Sequence, residues 1–146
     1  MIADGFTTEA YLDLLDAAED GGYDFLTVAD YLATAPEDRP ERFLVLRHDV
    51  DRKVGNASRM ARLEAHRGVE ATYYVRTGTF DPEFVHTLES LGHEVGYHYE
   101  DYVRADGDLD DAHDRFARHL RLFRRYCDVN TICMHGNPLS PHDNRD

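Results

Sequence analysis

Phe43-Leu44-Val45-Leu46-Arg47-His48-Asp49-Val50-Asp51 is the stretch that decides the fold class of this 146-residue chain. Four apolar residues in a row suit a strand buried on both faces of a parallel sheet. The run then stops at a polar cluster, so the strand ends in chemistry rather than in a plain turn. At period-2 alternation Asp49 and Asp51 project to the same side. Two carboxylates that close repel each other unless a cation lies between them or one is protonated.

Outward from this segment, strands and helices alternate. Ala57, Met60, Ala61 and Leu63 set a helix over about Val54 to Arg67, with Gly68 as its stop. Ala71 to Val75 reads as the next strand. Asp81-Pro82 supplies an N-cap and a first-turn proline for a helix that carries Phe84, Val85, Leu88 and Leu91 and closes at Gly92. His93 to Tyr99 is a third strand, Asp108 to Tyr126 a long helix, and Thr131 to Met134 a fourth strand. The β-α-β-α-β-α-β order predicts α/β architecture, with parallel β/α units forming a parallel sheet or part of an α/β barrel. Right-handed crossovers bring all strand C-termini to one edge.

Upstream, Thr7 or Thr8 caps a helix whose Ala10, Tyr11, Leu14, Leu15 and Ala18 share a face, and Gly21-Gly22 ends it. A shorter helix is predicted over Val28 to Leu32, then a Pro-bearing loop over Thr34 to Glu41. The domain expectation is a helical lead-in over 1–41 and a β/α domain over 42–146, which the resemblance given below makes a partial catalytic domain.

Composition narrows the classes. The formal net charge is −13, which argues against general nucleic-acid binding. No apolar run approaches the roughly 20 residues of a membrane span. Residues 1–20 carry acids and no base, unlike a secretory leader, so a cytoplasmic location is expected. Among the bases Lys53 is the single lysine; the rest are arginine. Such an acidic, lysine-poor surface resembles that of proteins from salt-loving archaea. Cys127 and Cys133 make no disulfide framework and are expected to be free thiols.

Three of the strands end in acids, histidines or both: Arg47-His48-Asp49-Val50-Asp51, Gly96-Tyr97-His98-Tyr99-Glu100-Asp101 and Met134-His135-Gly136-Asn137-Pro138. Carboxylate and imidazole groups converging at one sheet edge are the ligand set of a divalent metal, zinc above all. His66, His86, His113 and His119 fall on helices among charges and are expected to be solvated.

Leu46-Arg47-His48-Asp49-Val50-Asp51, Gly92-His93-Glu94-Val95-Gly96-Tyr97-His98 and Met134-His135-Gly136-Asn137-Pro138 together resemble the first three motifs of the polysaccharide deacetylases, carbohydrate esterase family 4. The resemblance runs from about Phe43 to Pro138. It implies a distorted (β/α) barrel and a metal-dependent hydrolase that removes acetyl groups, mainly N-acetyl, from a sugar or polysaccharide precursor. It implies Asp49 as general base and Asp51 and His98 as metal ligands; Arg47, which alternates onto the side of Asp49, is the candidate to orient the base in place of the family's third-motif arginine. The family's second motif carries another histidine four residues on, where this chain has Tyr102. His135 is therefore the preferred third ligand, with Glu100 and His48 as alternatives; His135 also holds the place of a catalytic arginine of the third motif. The family's last motifs would lie beyond Pro138, so the resemblance further implies the front half of a catalytic domain. An open half-barrel would expose a strand edge suited to self-association.

Two other readings use the same residues. His48-Asp49 matches the doublet of metal-dependent phosphohydrolases, although those place their ligands on helices. A degenerate carbohydrate- or metal-binding remnant would also fit Tyr102.

Overall fold

A computed structural model describes residues 7–145; residues 1–6 of the lead-in and Asp146 lie outside the described residues. The elements are α1 (Thr8–Asp20), β1 (Asp24–Leu26), α2 (Val28–Ala33), β2 (Phe43–Val45), β3 (Arg47–Val50), α3 (Val54–His66), β4 (Thr72–Val75), α4 (Pro82–Ser90), β5 (Glu94–Tyr99), α5 (Asp101–Arg104), α6 (Leu109–Phe123) and β6 (Ile132–Met134). All paired strands are parallel. β3-β4-β5-β6 form one sheet in chain order, and β1-β2 form a second, two-stranded one.

The deciding segment behaves differently from the expectation of one continuous strand. Phe43–Val45 pairs with Asp24–Leu26, whereas Arg47–Val50 pairs with Thr72–Val75. Leu46 lies between the two ladders. Phe43, Leu44 and Val45 are only half-buried, so they are not the doubly covered central strand their apolarity suggested. This pairing also crosses the expected 41/42 boundary, as does α1: Tyr11 Oη donates to Glu64, far along the chain.

Helix ends follow local rules. Thr7 accepts from Ala10 N at 3.1 Å at the start of α1, and Gly21 with left-handed Gly22 (φ 72°) closes it. Thr27 and Asp30 form a reciprocal capping box on α2, a device that stabilises by about 1 kcal/mol. Asp81 caps α4 through Phe84 N at 2.8 Å.

The sheet has two unlike faces. On one, Val50, Tyr73, Val75, Val95 and Tyr97 bury against Ala61 of α3, Phe84, Val85 and Leu88 of α4, and Phe123 of α6. Register places Asp49, Tyr74 and Gly96 side by side on the other face, with His98 opposite Cys133 further along. Glu94 lies on this polar face at the start of β5. That carboxylate accepts from Ala29 N at 3.0 Å, from Thr72 Oγ1 at 2.6 Å, and from Thr131 Oγ1.

The Tyr74 ring occupies the space a side chain on Gly96 would take: a Cβ there would lie 2.3 Å from Tyr74 Cε1. Tyr74 is thereby laid down as the floor under His98, with its hydroxyl donating to Thr131 Oγ1 at 3.1 Å. Gly96→Ala is expected to destabilise by about 1–3 kcal/mol through overpacking, measured as a lowered urea midpoint at unchanged slope.

No helix among the described residues is long and apolar enough to cross a membrane. Both cysteines are free, and burial pushes the Cys127 thiol up to about 12.

Candidate metal centre

Asp51 leaves the end of β3, His98 lies near the end of β5, and His135 follows β6. Parallel pairing brings these three strand ends to one edge. Each residue offers one ligand atom, and the three atoms lie within 4.8 Å of one another. His135 Nδ1 is 3.1 Å from Asp51 Oδ1, His98 Nε2 is 3.5 Å from the same oxygen, and the two imidazole nitrogens are 3.2 Å apart. A tetrahedral ion bound at about 2.0–2.2 Å sets its ligand atoms roughly 3.3–3.6 Å apart. The three distances match that triangle, so the group could hold a metal ion.

Two further observations fit. Asp51 Oδ1 is buried and has no hydrogen-bond partner among the described residues, a condition that is unfavourable for a carboxylate oxygen without a cation. His98 Nδ1 lies 3.0 Å from Cys133 O. A carbonyl can only accept, so the proton sits on Nδ1 and the Nε2 lone pair faces Asp51 and His135.

Neighbouring backbone contacts hold the group in place. Thr79 Oγ1 donates to Val50 O at 2.7 Å and Arg76 Nη1 to Asp51 O at 3.4 Å, so the loop after β4 grips the chain at Asp51. Asn144, buried, donates to His135 O at 2.7 Å and accepts from Val103 N at 2.9 Å. Sequence reading missed Thr79, Arg76 and Asn144, whose partners lie far along the chain and leave no periodic mark.

Asp49 stands beside the triad, its Oδ2 3.8 Å from His98 Nε2. Arg47 clamps it with two hydrogen bonds of 2.9 and 2.7 Å. Partial burial pushes the Asp49 carboxyl up, but the Arg47 bonds and the nearby His98 and His135 outweigh that and hold it below the usual range. It is therefore held ionised, and each oxygen keeps a second lone pair. No known family model matches the chain, and no curated protein or solved structure matches it either.

The alternative third ligands are placed elsewhere. Glu100 is buried with both oxygens taken by Arg76, at 3.0 and 2.9 Å, and one shared with Arg104. His48 alternates onto the opposite sheet face from Asp49, so the His48-Asp49 doublet does not converge on one ion. Its Nε2 sits 2.6 Å from Glu64. Tyr102 falls on α5, because the chain turns into helix at Asp101, and its ring packs on His142 with centroids 5.6 Å apart. His119 is not simply solvated: its Nδ1 is 2.7 Å from buried Asp101, pinning α6 to α5. His66, His86 and His113 are exposed as expected.

Glu64 anchors a second buried group, under the helix layer. It is fully buried and accepts from Tyr11 Oη and from Tyr73 Oη at 2.6 Å, besides its contact to His48. A usable signal existed: Glu64 continues the Ala57–Met60–Ala61 stripe at helical spacing, so a charge was bound to enter the core. His93 is a brace, with Nδ1 accepting from Ala71 N at 3.1 Å and Nε2 therefore donating to Ala61 O at 2.8 Å.

Burial drives the His98 imidazole below its ordinary value, although Asp49 and the Cys133 carbonyl pull the other way. In metal-free protein the His98 ring signals are expected to titrate below 6.5 by NMR. A depressed histidine contributes stability above about 6.5 and loses it as pH falls through the folded value.

Proposed function

We propose that the protein is a metal-dependent hydrolase that removes acetyl groups, mainly N-acetyl, from a sugar or polysaccharide precursor. The observation that carries the reading is the Asp51–His98–His135 triangle with ionised Asp49 at its side. Two histidines and a carboxylate, plus an open position for water, are the donor set of catalytic zinc. The consecutive strand order and the polar face opposite the helices favour a partly closed (β/α) barrel as the framework, with chemistry at the strand C-termini.

Asp51, His98 and His135 would hold the ion. When bound, a divalent ion polarises an acyl oxygen and acidifies water. The chain's own residues do the rest. Asp49 accepts the proton of the attacking water, and Arg47 keeps it ionised and aimed. Breaking the C–N bond leaves an amine that takes up the proton Asp49 received from the water, while His135 would stay on the ion. Tyr74, packed over Gly96, lies beside His98 on the same face.

The test is zinc titration of the purified protein followed by acetate release from N-acetylated sugars. About one zinc per chain with zinc-dependent acetate release supports the reading. Stoichiometric zinc with no acetate from any N- or O-acetylated sugar discards the hydrolase and leaves a metal-binding protein.

A further inference from the structure

A cavity of about 350 Å³ opens directly beside Asp49, at the outer edge of β3. Its walls include Arg47, His48, Asp49, Arg52, Lys53 and Asn56. Arg47 is neutralised by Asp49. Arg52 and Lys53 are exposed, and among the described residues no side-chain hydrogen bond or ion pair holds either. Lys53 is the chain's single lysine, and it holds a left-handed backbone (φ 51°) that turns it and Arg52 onto this rim.

A protein of net charge −13 repels anions over most of its surface. Two unpaired cations sharing one cavity with the base beside the metal triangle are therefore a local inversion of charge where a substrate must lie. Lysine brings three donors, arginine five, and Asn56 a side-chain amide. The α3 terminus behind them has no side-chain cap and no acid in its first turn. Three donor-bearing side chains lining one cavity suit a dianion with three acceptor oxygens better than a planar carboxylate with two.

We propose that the substrate of this site carries a phosphoryl group, seated in this cavity by Arg52, Lys53 and Asn56, with its acetyl group reaching the metal triangle past Asp49. This rests on the deacetylase reading for the acetyl half of the ligand, whereas the phosphoryl half is tested by itself. The cavity's volume leaves room for part of a sugar alongside the phosphate.

The probe is N-acetylglucosamine 1-phosphate, followed by amide NMR in the zinc-loaded protein and again after chelation. Amides of residues 52–56 should shift in both states, and binding should weaken with salt. Arg52→Gln/Lys53→Gln, at exposed positions where folding is checked by thermal midpoint, should weaken it roughly tenfold or more, since charge-assisted bonds are lost. Unphosphorylated N-acetylglucosamine should leave these amides unmoved. Shifts confined to His98 and His135 that vanish on chelation would place the phosphate on the ion and overturn the proposal. So would equal binding by the double variant, or equal binding of glucuronate, which would make the site a carboxylate reader. Failure of the deacetylase reading looks different: the 52–56 shifts persist while no acetate is released.

Discussion

Asp51→Ala is expected to take zinc content from about one per chain to near zero at micromolar metal, and acetate release with it. Asp51 Oδ1 is the atom common to two sides of the ligand triangle, 3.1 Å from His135 and 3.5 Å from His98. Two imidazoles alone leave a site with half its positions unfilled by protein and no negative charge to offset the ion. Because Oδ1 is buried and lacks a hydrogen-bond partner among the described residues, removing it should not lower the thermal midpoint of metal-free protein. A raised or unchanged apo midpoint, together with lost zinc, marks a ligand rather than a scaffold residue. Asp49→Asn is the companion. It keeps all three ligands and should keep the zinc, while acetate release falls by about 10²–10⁴. Zinc retained by Asp51→Ala would show that the ion, if any, is held elsewhere. Full activity in Asp49→Asn would remove the proton-acceptor role.

Glu64→Ala is expected to be the most destabilising single change in the helix-side core. The carboxylate is fully buried and serves Tyr11, His48 and Tyr73 together. Truncation strands two hydroxyls and an imidazole and opens a void, a loss of about 3–5 kcal/mol for breaking a buried charged group. For a chain of this size that corresponds to a fall of roughly 10 °C in Tm. The pH dependence has a definite sign. Burial pushes the Glu64 carboxyl up, but the contacts from His48, Tyr11 and Tyr73 prevail and hold it below its ordinary 4.5. Its contribution is thus present above pH 4.5 and is lost as pH falls through the lower folded value. The stability gap between native protein and Glu64→Gln should accordingly narrow in acid. A gap that stays constant from pH 7 to pH 3 would mean that the charge on Glu64 is not what the network needs.

The legible and illegible parts of this fold separate by how local their causes are. Helices α3, α4 and α6 are written as 3.6-period apolar stripes, the last two with Asp81 and Asp108 as caps, and β4 and β5 as aromatic and β-branched runs. Asp51, His98 and His135 stood out because apolar strands end in them, and parallel strands deliver their ends to one place. β1 was missed because Asp24-Phe25-Leu26 is too short to show a period; it becomes a strand only by pairing with Phe43–Val45. The break at Leu46 is likewise invisible in an unbroken apolar run. His48 and Glu100 looked like ligands by proximity in sequence. Alternation turned the first to the far face, and Arg76, from the loop after β4, captured the second. Tertiary partners chose between residues that local chemistry left equal.

Glu94 has a consequence for the order in which the molecule assembles. Its partners Ala29, Thr72 and Thr131 lie 65, 22 and 37 residues away along the chain. Each closure forfeits loop entropy before any bond compensates it. The full set of bonds exists only when α2, β4 and the approach to β6 have all arrived, so Glu94 rewards completion of the fold rather than its start. It acts as a late latch: a chain in which any one of the three segments has not docked leaves this carboxylate short of a donor, and the finished fold ties all three to a single side chain.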